Sequence, residues 1–594
     1  MDDTNWTKDE PSVMITKRPD GVKAVEGDGL DEGFRRVDEG RVAAPAEVAG
    51  KVEGRPPWVL HPFLIAAFPI ISLYAHNVYE TSPGEMAWPL AVSLGSTTLA
   101  WLALRLVARD WAKAGLCASL LMATAFGFRS IRDNLALAWF ALMQFWVHTE
   151  YSLHPLALVA ILGLANLAAA IAIIRHEGRP QRLTKALNAF TLILIALPAV
   201  TAISSRLGPS ASKPREGDRP MVTASKRGWT PDIYFIVLDG YARSDVMKEL
   251  FDFDNAPFLD RLERRGFFIA RNSTSNYCQT RLSLASTLNA EYLDGLMDLS
   301  SPDLLPITDL IRDNLVRKSL RPLGYRFVSF STGFEPTDFP DSDIFYQPRP
   351  GNPEFSQILL EMTPVDAWRS RVNKSDRYSA QRDRVLFLLD RLPEVASIQG
   401  PTFTFAHLLA PHPPFIFGPN GEDVSPRWEA RQDGRAQRTH AERFGTPEYF
   451  RAGYRDESAF LTARVERAVE RILASSPEPP IIVLQSDHGS WLRYHPDDAE
   501  KTDLRERFGI LNGIYTAGRQ IPGLTDSMTS VNTFRALLRE VIGADLPPLN
   551  ERNYFSPFHS PLVFTDVTDR LHSPQERKRT FTYPEKYLGL EQQF

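Results

Sequence analysis

Apolar stretches long enough to cross a bilayer are confined to one part of this chain, residues 56–205. A membrane-spanning helix needs about 20 apolar residues. Five stretches approach that length: residues 57–78, 86–107, 112–128, 153–174 and 186–204. A sixth stretch, residues 134–148, is shorter and rich in aromatic side chains. The sequence therefore predicts an N-terminal bundle of about five transmembrane helices, joined to a soluble part.

The charges between these stretches predict the orientation of the bundle. Cytoplasmic loops collect Lys and Arg. The loops 105–113 and 175–185 are basic, whereas the loop 77–85 is acidic. Five spans with the N-terminus inside place both basic loops in the cytoplasm and everything after residue 205 outside. Six spans would put the loop 175–185 outside, so the aromatic stretch is expected to lie at the membrane interface or to dip into it. This pattern predicts a multi-pass protein of the cell (inner) membrane with an extracytoplasmic, periplasmic soluble domain.

Composition assigns the remaining segments. Residues 1–55 are polar and lack apolar periodicity, which is typical of a disordered cytoplasmic tail. Residues 206–230, rich in Pro, Ser, Gly and charge, are expected to form a linker, and residues 566–594 a polar C-terminal tail. A formal net charge of −5 argues against a nucleic-acid partner. The presence of only Cys117 and Cys278 excludes a disulfide framework and a Cys-rich zinc site.

Residues 231–565 show strands alternating with helices. Several strands are continuously apolar, which indicates a largely parallel central sheet covered by helices on both faces. Ligands bind at the carboxyl ends of such strands. Asp239 follows the first apolar strand, and Asp487 and His488 follow the strand at 480–485. Two carboxylates and an imidazole suit Zn²⁺ or Mn²⁺. The alternative is that Asp239 caps a helix and that the other two are turn residues.

Thr280 stands where the segment 276–288 opens a helix. The free N–H groups and the dipole of a helix N-terminus favour an anionic ester. Metal coordination would turn the Thr280 hydroxyl into a nucleophile. The alternative is an ordinary N-cap, a common role of threonine.

Five segments occur in an order that resembles a known superfamily: PDIYFIVLDG (231–240), NYCQTRLSLASTLN (276–289), LLAPHPPF (408–415), IIVLQSDHG (481–489) and RFGILNGIY (507–515). The soluble part resembles the alkaline phosphatase and sulfatase superfamily over about residues 231–560. Within it, the likeness is to membrane-anchored, sulfatase-like members such as lipoteichoic acid synthases and lipid A phosphoethanolamine transferases. Those relatives also place several membrane spans before an extracytoplasmic catalytic domain.

The resemblance implies roles for individual residues. Asp239, Asp487 and His488 would bind a divalent metal (Zn or Mn, with Mg or Ca as alternatives), and Thr280 would be both ligand and nucleophile. Further implied roles are contact with the transferred phosphate for His412, contact with the anion for Arg281 and Asn276, and a second metal for His407 and His495. For the last two, ordinary surface or core histidines are an equal alternative.

Cys278 departs from the sulfatase motif. Formylglycine sulfatases need Cys or Ser, then Pro or Ala two residues on, then Arg at the fourth following position. Here Thr280 and Arg281 follow Cys278 at the second and third positions. We therefore expect Cys278 to be a small buried residue beside the site.

These observations predict a membrane-anchored, metal-dependent hydrolase or transferase. It would act on phosphate esters of the cell envelope, such as a phosphodiester or a phospholipid headgroup, through a covalent phosphothreonine. Its partners would be the lipid bilayer and a phospholipid or envelope glycan substrate. The alternatives are a sulfuric ester hydrolase of the same fold and a catalytically inactive envelope sensor or scaffold.

Overall fold

A computed structural model describes the chain over residues 57–78, 81–143, 155–178, 180–207, 228–300, 303–348, 354–373, 377–424, 446–577 and 579. The predicted tail at 1–55 and most of the predicted linker at 206–230 lie outside these residues. So does the second part of the aromatic stretch, after residue 143.

Five helices coincide with the five predicted stretches: α1 (His61–His76), α2 (Ala87–Ala108), α3 (Trp111–Met143), α4 (Pro155–Arg175) and α5 (Gln181–Leu207). Among the described residues, four helices are long and apolar enough to cross a membrane: Pro83–Ala108, Trp111–Leu135, Leu156–Arg175 and Gln181–Ser205. The prediction of five full-length spans is therefore too high by one, because α1 has only 16 residues. It begins at His61 and ends at His76, with Asn77 as the capping residue.

The aromatic stretch does not form an element of its own in its described part. α3 continues through it as far as Met143. No Gly or Pro occurs between residues 128 and 143 to end the helix. Helix α1 packs against α2, α3 and α5 and buries Ala66, Ala67 and Ile70. Asn188 of α5 caps α1, because its Oδ1 accepts hydrogen bonds from the backbone N–H groups of Leu60 (3.1 Å) and His61 (2.9 Å).

The soluble part is built on one seven-stranded sheet. Its strands are β1 (Ile233–Leu238), β2 (Phe267–Ile269), β3 (Arg326–Phe330), β4 (Ile344–Tyr346), β5 (Thr402–Leu408), β6 (Ile481–Gln485) and β7 (Asn512–Tyr515). Their order is β2-β7-β6-β1-β5-β3-β4. Strands β6, β1, β5, β3 and β4 run parallel. Strand β7 pairs antiparallel with β6 on one side and with the edge strand β2 on the other. The predicted largely parallel sheet is confirmed.

Helices cover both faces of this sheet. The helices of the soluble part are α6 (Ser244–Phe251), α7 (Ala256–Arg264), α8 (Thr280–Asn289), α9 (Leu293–Leu296), α10 (Leu305–Arg312), α11 (Leu315–Leu320), α12 (Glu354–Glu361), α13 (Pro364–Asn373), α14 (Arg377–Arg391), α15 (Pro447–Ser475), α16 (Leu504–Phe508), α17 (Ser530–Ile542), α18 (Thr568–Leu571) and α19 (Pro574–Arg577).

The central strand β1 shows why two layers of helices form. All six of its residues are buried. Tyr234, Ile236 and Leu238 pack in the core shared with α6, α7, α14 and α15. The alternate residues, Phe235 and Val237 among them, pack in the opposite core with α8, α10 and α17. Because side chains alternate along a strand, a strand with no polar residue must be covered on both sides.

The domain extends beyond the predicted boundary at residue 565. Strand β8 (Tyr554–Phe555) pairs with β9 (Thr565–Asp566), and α18 and α19 follow. Val567 and Leu571 are buried, and the Glu576 carboxylate pairs with Arg570 at 3.1 Å. For residues 566–577, the prediction of a polar tail is thus corrected. Its few apolar side chains are too widely spaced to show a pattern in the sequence, yet they reach the core.

Candidate functional site

Three side chains that could hold a metal ion meet at the carboxyl edge of the sheet. Asp239, Asp487 and His488 are buried, and each offers one ligand atom within 4.8 Å of the others. They meet because β1 and β6 are parallel neighbours, with Val237 opposite Gln485, so both strands end at the same level. The backbone N–H that follows Asp239 donates a hydrogen bond to Asp487 Oδ1 at 3.0 Å.

The two carboxylates have the electrostatics of a cation site. Burial and the negative charge of Asp239 raise the pKa of Asp487 to about 7. Burial also acts on Asp239, but three histidines around it, His412 foremost, outweigh burial and hold its pKa below the usual range. Asp239 Oδ1 and Asp487 Oδ2 are buried without a hydrogen-bond partner among the described residues. Buried carboxylates need a compensating positive charge, so this donor set fits a divalent cation.

Thr280 joins this group from the first turn of α8. Its Oγ1 lies 3.0 Å from His488 Nε2. His488 Nδ1 lies 2.9 Å from the Gly489 carbonyl oxygen, which can only accept, so Nδ1 carries the proton and Nε2 accepts from the threonine hydroxyl. Ser283, one turn along α8, donates to the Asp487 carbonyl oxygen at 2.7 Å. This bond fixes the helix start against the loop after β6.

Two further histidines flank Asp239. His407, the penultimate residue of β5, is buried with Nε2 3.5 Å from Asp239 Oδ2. Its Nδ1 lies 3.1 Å from Thr337 Oγ1. His412 is half-buried on the loop after β5, and its Nδ1 lies 2.5 Å from the Pro413 carbonyl oxygen. That contact leaves His412 Nε2 available to a ligand.

Sequence reasoning missed Trp491. Its buried indole ring lies 4.5 Å from the His412 ring and 4.9 Å from the His488 ring, centroid to centroid, and both contacts are edge-on. The Arg507 guanidinium stands over the Trp491 ring at 5.0 Å. A tryptophan three residues after the Asp487-His488 pair was the available signal, but only the folded loop turns the ring towards the site.

Three other predicted site residues make contacts outside this group. The Asn276 side chain is buried in a separate network, donating to Arg552 O (2.7 Å) and accepting from Val531 N (2.7 Å). Arg281 has its guanidinium 5.9 Å from the Phe334 ring centroid. The backbone N–H of His495 donates to Thr502 Oγ1, and its ring is not among the ligand atoms grouped with Asp239.

Cys278 is fully buried beside the site. Its Sγ accepts a hydrogen bond from the backbone N–H of Ser556 at 3.3 Å. Its carbonyl oxygen accepts one from Arg507 Nε at 2.8 Å. These contacts agree with the expectation of a small buried residue.

This chain is similar to several solved structures, although no family model and no curated protein sequence matches it. Among solved structures, the zinc complex of the periplasmic domain of EptC from Escherichia coli is 12% identical, with a TM-score of 0.39. The match covers 58% of this chain and 96% of that one.

A membrane-spanning structure is also found. The integral membrane protein lipooligosaccharide phosphoethanolamine transferase A from Neisseria meningitidis is 12% identical, with 81% of this chain and 95% of that chain covered at a TM-score of 0.35. The chain is similar to phosphoethanolamine transferases. Phosphonate monoester hydrolase of Agrobacterium radiobacter is 14% identical, with a TM-score of 0.34. The match covers 55% of this chain and 80% of that one.

Proposed function

We propose that this chain is a membrane-anchored, metal-dependent enzyme that transfers or hydrolyses phosphate esters, with Thr280 as its nucleophile. One observation carries the proposal. The Thr280 hydroxyl lies 3.0 Å from His488 Nε2, beside two buried carboxylates at the N-terminus of a helix. Thr280 is only half-buried, so a substrate can reach it.

The metal would be held by Asp239, Asp487, His488 and Thr280, whose oxygen and imidazole donors suit Zn²⁺ or Mn²⁺. When bound, the cation would favour ionisation of the threonine hydroxyl and neutralise phosphoryl oxygens. His407 offers an additional imidazole, with Nε2 3.5 Å from Asp239 Oδ2. A second metal would have to involve His407.

The chain's own groups then carry out a two-step displacement. Thr280 Oγ1 forms a bond to phosphorus, and the bond to the leaving ester oxygen breaks, which yields a phosphothreonine. The oxygen of water or of an acceptor alcohol then attacks phosphorus and releases the threonine. The free N–H groups at the start of α8 face the phosphoryl group, and His412 Nε2 would hold one of its oxygens.

The substrate class follows from the membrane attachment. A phosphodiester or phospholipid headgroup is the proposed donor, and water or an envelope glycan or lipid the acceptor.

Two contacts support an extracytoplasmic site. Lys113 Nζ donates to the Ile174 carbonyl oxygen at 3.0 Å, so both basic loops lie at one end of the bundle. Arg129 pairs with Glu361 of the soluble part farther along α3, at the other end.

The decisive experiment is intact-mass and metal analysis of the full chain in detergent, after incubation with bis(p-nitrophenyl) phosphate. We expect bound Zn or Mn and one added phosphoryl-ester group mapped to Thr280. The Thr280→Ala variant should bind the probe without becoming labelled. Formylglycine at Cys278 would instead establish a sulfatase. An unlabelled, metal-free chain would favour the inactive sensor.

Metal dependence and orientation have their own tests. A chelator should abolish hydrolysis of the probe, and added Zn²⁺ or Mn²⁺ should restore it. Activity that is insensitive to chelation would overturn the metal proposal. A reporter fused after Ser212 should score as extracytoplasmic, and a cytoplasmic score would overturn this orientation.

A further inference from the structure

We propose that helices α12 and α13 form a bilayer-binding surface of the soluble part, seated on the lipid headgroups beside the spans. This inference goes beyond the proposed chemistry and does not depend on it. The chain leaves β4 at the carboxyl edge of the sheet, and α12 and α13 follow before α14 leads back towards β5. Both helices contact the membrane part: α12 the turn at Pro83–Met86, and α13 the helices α3 and α4.

One side of α12 packs against the membrane helices. Phe355 and Leu359 are 4% and 5% exposed. They share one apolar cluster with residues at the ends of the first and last membrane helices: Ile70, Tyr74, Ala75, Val78 and Ala202. Phe355 and Leu359 are four residues apart and therefore lie on one face of the helix. This face holds α12 against the end of the bundle.

A polar contact fixes the turn between the two helices at the same level. Arg129 Nη1 lies 3.2 Å from Glu361 Oε2, and the Arg129 backbone N–H donates to the Met362 carbonyl oxygen at 3.3 Å. Arg129 belongs to α3, which crosses the membrane. The α12–α13 turn is thus fixed to α3, near the end of the stretch Trp111–Leu135 that is long and apolar enough to cross a membrane.

Among the side chains of the pair that the structure describes, the exposed ones are all apolar. Ile358, Val365 and Trp368 are 37%, 49% and 60% exposed. A water-facing surface rarely places three large apolar side chains on two consecutive short helices. Tryptophan concentrates at the interface between a bilayer and water. Trp88, at the start of α2, is 72% exposed and is placed at this interface on the same end of the bundle. Because α12 and α13 pack directly against the membrane helices, we infer that the lipid bilayer covers this apolar surface.

A fluorescence experiment on the full chain tests the proposal. The chain is reconstituted in vesicles of phosphatidylethanolamine and phosphatidylglycerol, with an environment-sensitive dye attached at Trp368→Cys or, as a second site, at Val365→Cys. The matched control is Glu478→Cys, which is exposed at the amino end of β6, on the opposite edge of the sheet. The parent chain reports background labelling, since Cys117 and Cys278 are buried.

The expected result is several-fold stronger quenching at residues 368 and 365 than at residue 478 by lipids with a nitroxide high on the acyl chain. Quenching by aqueous iodide should show the reverse order. Equal lipid quenching at all three sites would overturn the proposal. So would protection of residue 368 from both quenchers, which would mean that protein, such as a second copy of this chain, covers the surface.

Discussion

Gly240 and Trp491 are in direct contact at the carboxyl edge of the sheet. A Cβ atom on Gly240 would lie 2.1 Å from Cη2 of the Trp491 ring, far inside van der Waals contact. Gly240 also has a φ of +72°, a region that favours glycine. The tryptophan that borders two site histidines is therefore packed onto the residue that follows Asp239. The position of the ring and the position of the carboxylate depend on each other.

Gly240→Ala should disrupt the site. The added methyl group forces Trp491 away, and displacements of about 1 Å at an active site cost on the order of 100-fold in rate. We expect a loss of that size in kcat/KM for the probe phosphodiester, with reduced metal content by mass spectrometry. Gly324→Ala is the matched control, since Gly324 has a φ of +87° and no neighbouring atom within 4 Å of an added Cβ. Equal losses in both variants would mean that backbone strain, rather than the Trp491 contact, is responsible.

Trp491→Leu should lower activity, and Trp491→Phe should retain more of it. The indole supports the His412 and His488 rings at centroid distances of 4.5 and 4.9 Å. Phenylalanine keeps an aromatic surface for edge-on contacts, whereas leucine does not. We expect about a tenfold fall in kcat for the leucine variant, since such aromatic contacts contribute about 0.5–1.5 kcal/mol each. Steady-state kinetics that show identical values for both variants would argue against a positioning role.

Asn276→Ala should destabilise the fold rather than remove an anion ligand. The buried amide satisfies the Val531 N–H and the Arg552 carbonyl oxygen. Leaving such groups unpaired costs about 1–3 kcal/mol each. The midpoint of thermal unfolding should therefore fall, while KM for the phosphodiester stays unchanged in the folded fraction. An unchanged midpoint with a raised KM would restore the anion-binding role predicted from the sequence.

Glu457 should make stability fall as the pH rises. Burial raises its pKa to about 8, against opposing hydrogen bonds from the backbone of Ile416 and Phe417 and the charge of Arg382. An unfolded glutamate titrates near pH 4.3, so between about pH 4 and 8 the folded state binds more protons than the unfolded state. The free energy of unfolding then decreases across this window, by at most about 1.4 kcal/mol per pH unit.

The matching variant is Glu457→Gln, which removes this proton. Its melting temperature should fall less between pH 5 and pH 8 than that of the unmodified chain. Glu478→Gln, at an exposed carboxylate, serves as the control and should behave like the unmodified chain. If Glu457→Gln loses as much stability over this range as the unmodified chain, another group is responsible for the pH dependence.

The local pattern of the sequence was sufficient for the parts of the site that follow strands or open a helix. Asp239, Asp487 and His488 could be found because a polar residue directly after an apolar strand marks the carboxyl edge of a parallel sheet. Thr280 could be found because it starts a helix. The structure brings Asp239, Asp487 and His488 together with Thr280 beside them, while their roles as ligands and nucleophile stay predictions.

Long-range packing decided the rest. Asn276 was expected near the anion, but partners about 250 or more residues away along the chain hold its amide. Trp491 and Ser283 became part of the site only through contacts with a loop or helix that is remote in sequence. No short-range pattern records such contacts.

The sequence by itself determined the division into a membrane part and an α/β part, the parallel sheet and the residues at its strand ends. These follow from composition and from the two-residue and 3.6-residue periods of strands and helices, which are local properties. Only the tertiary structure decided that α1 is short and central, that residues after 565 join the domain, and that α12 and α13 pack on the membrane helices. Each of these depends on which surfaces meet, and that is a property of the whole fold.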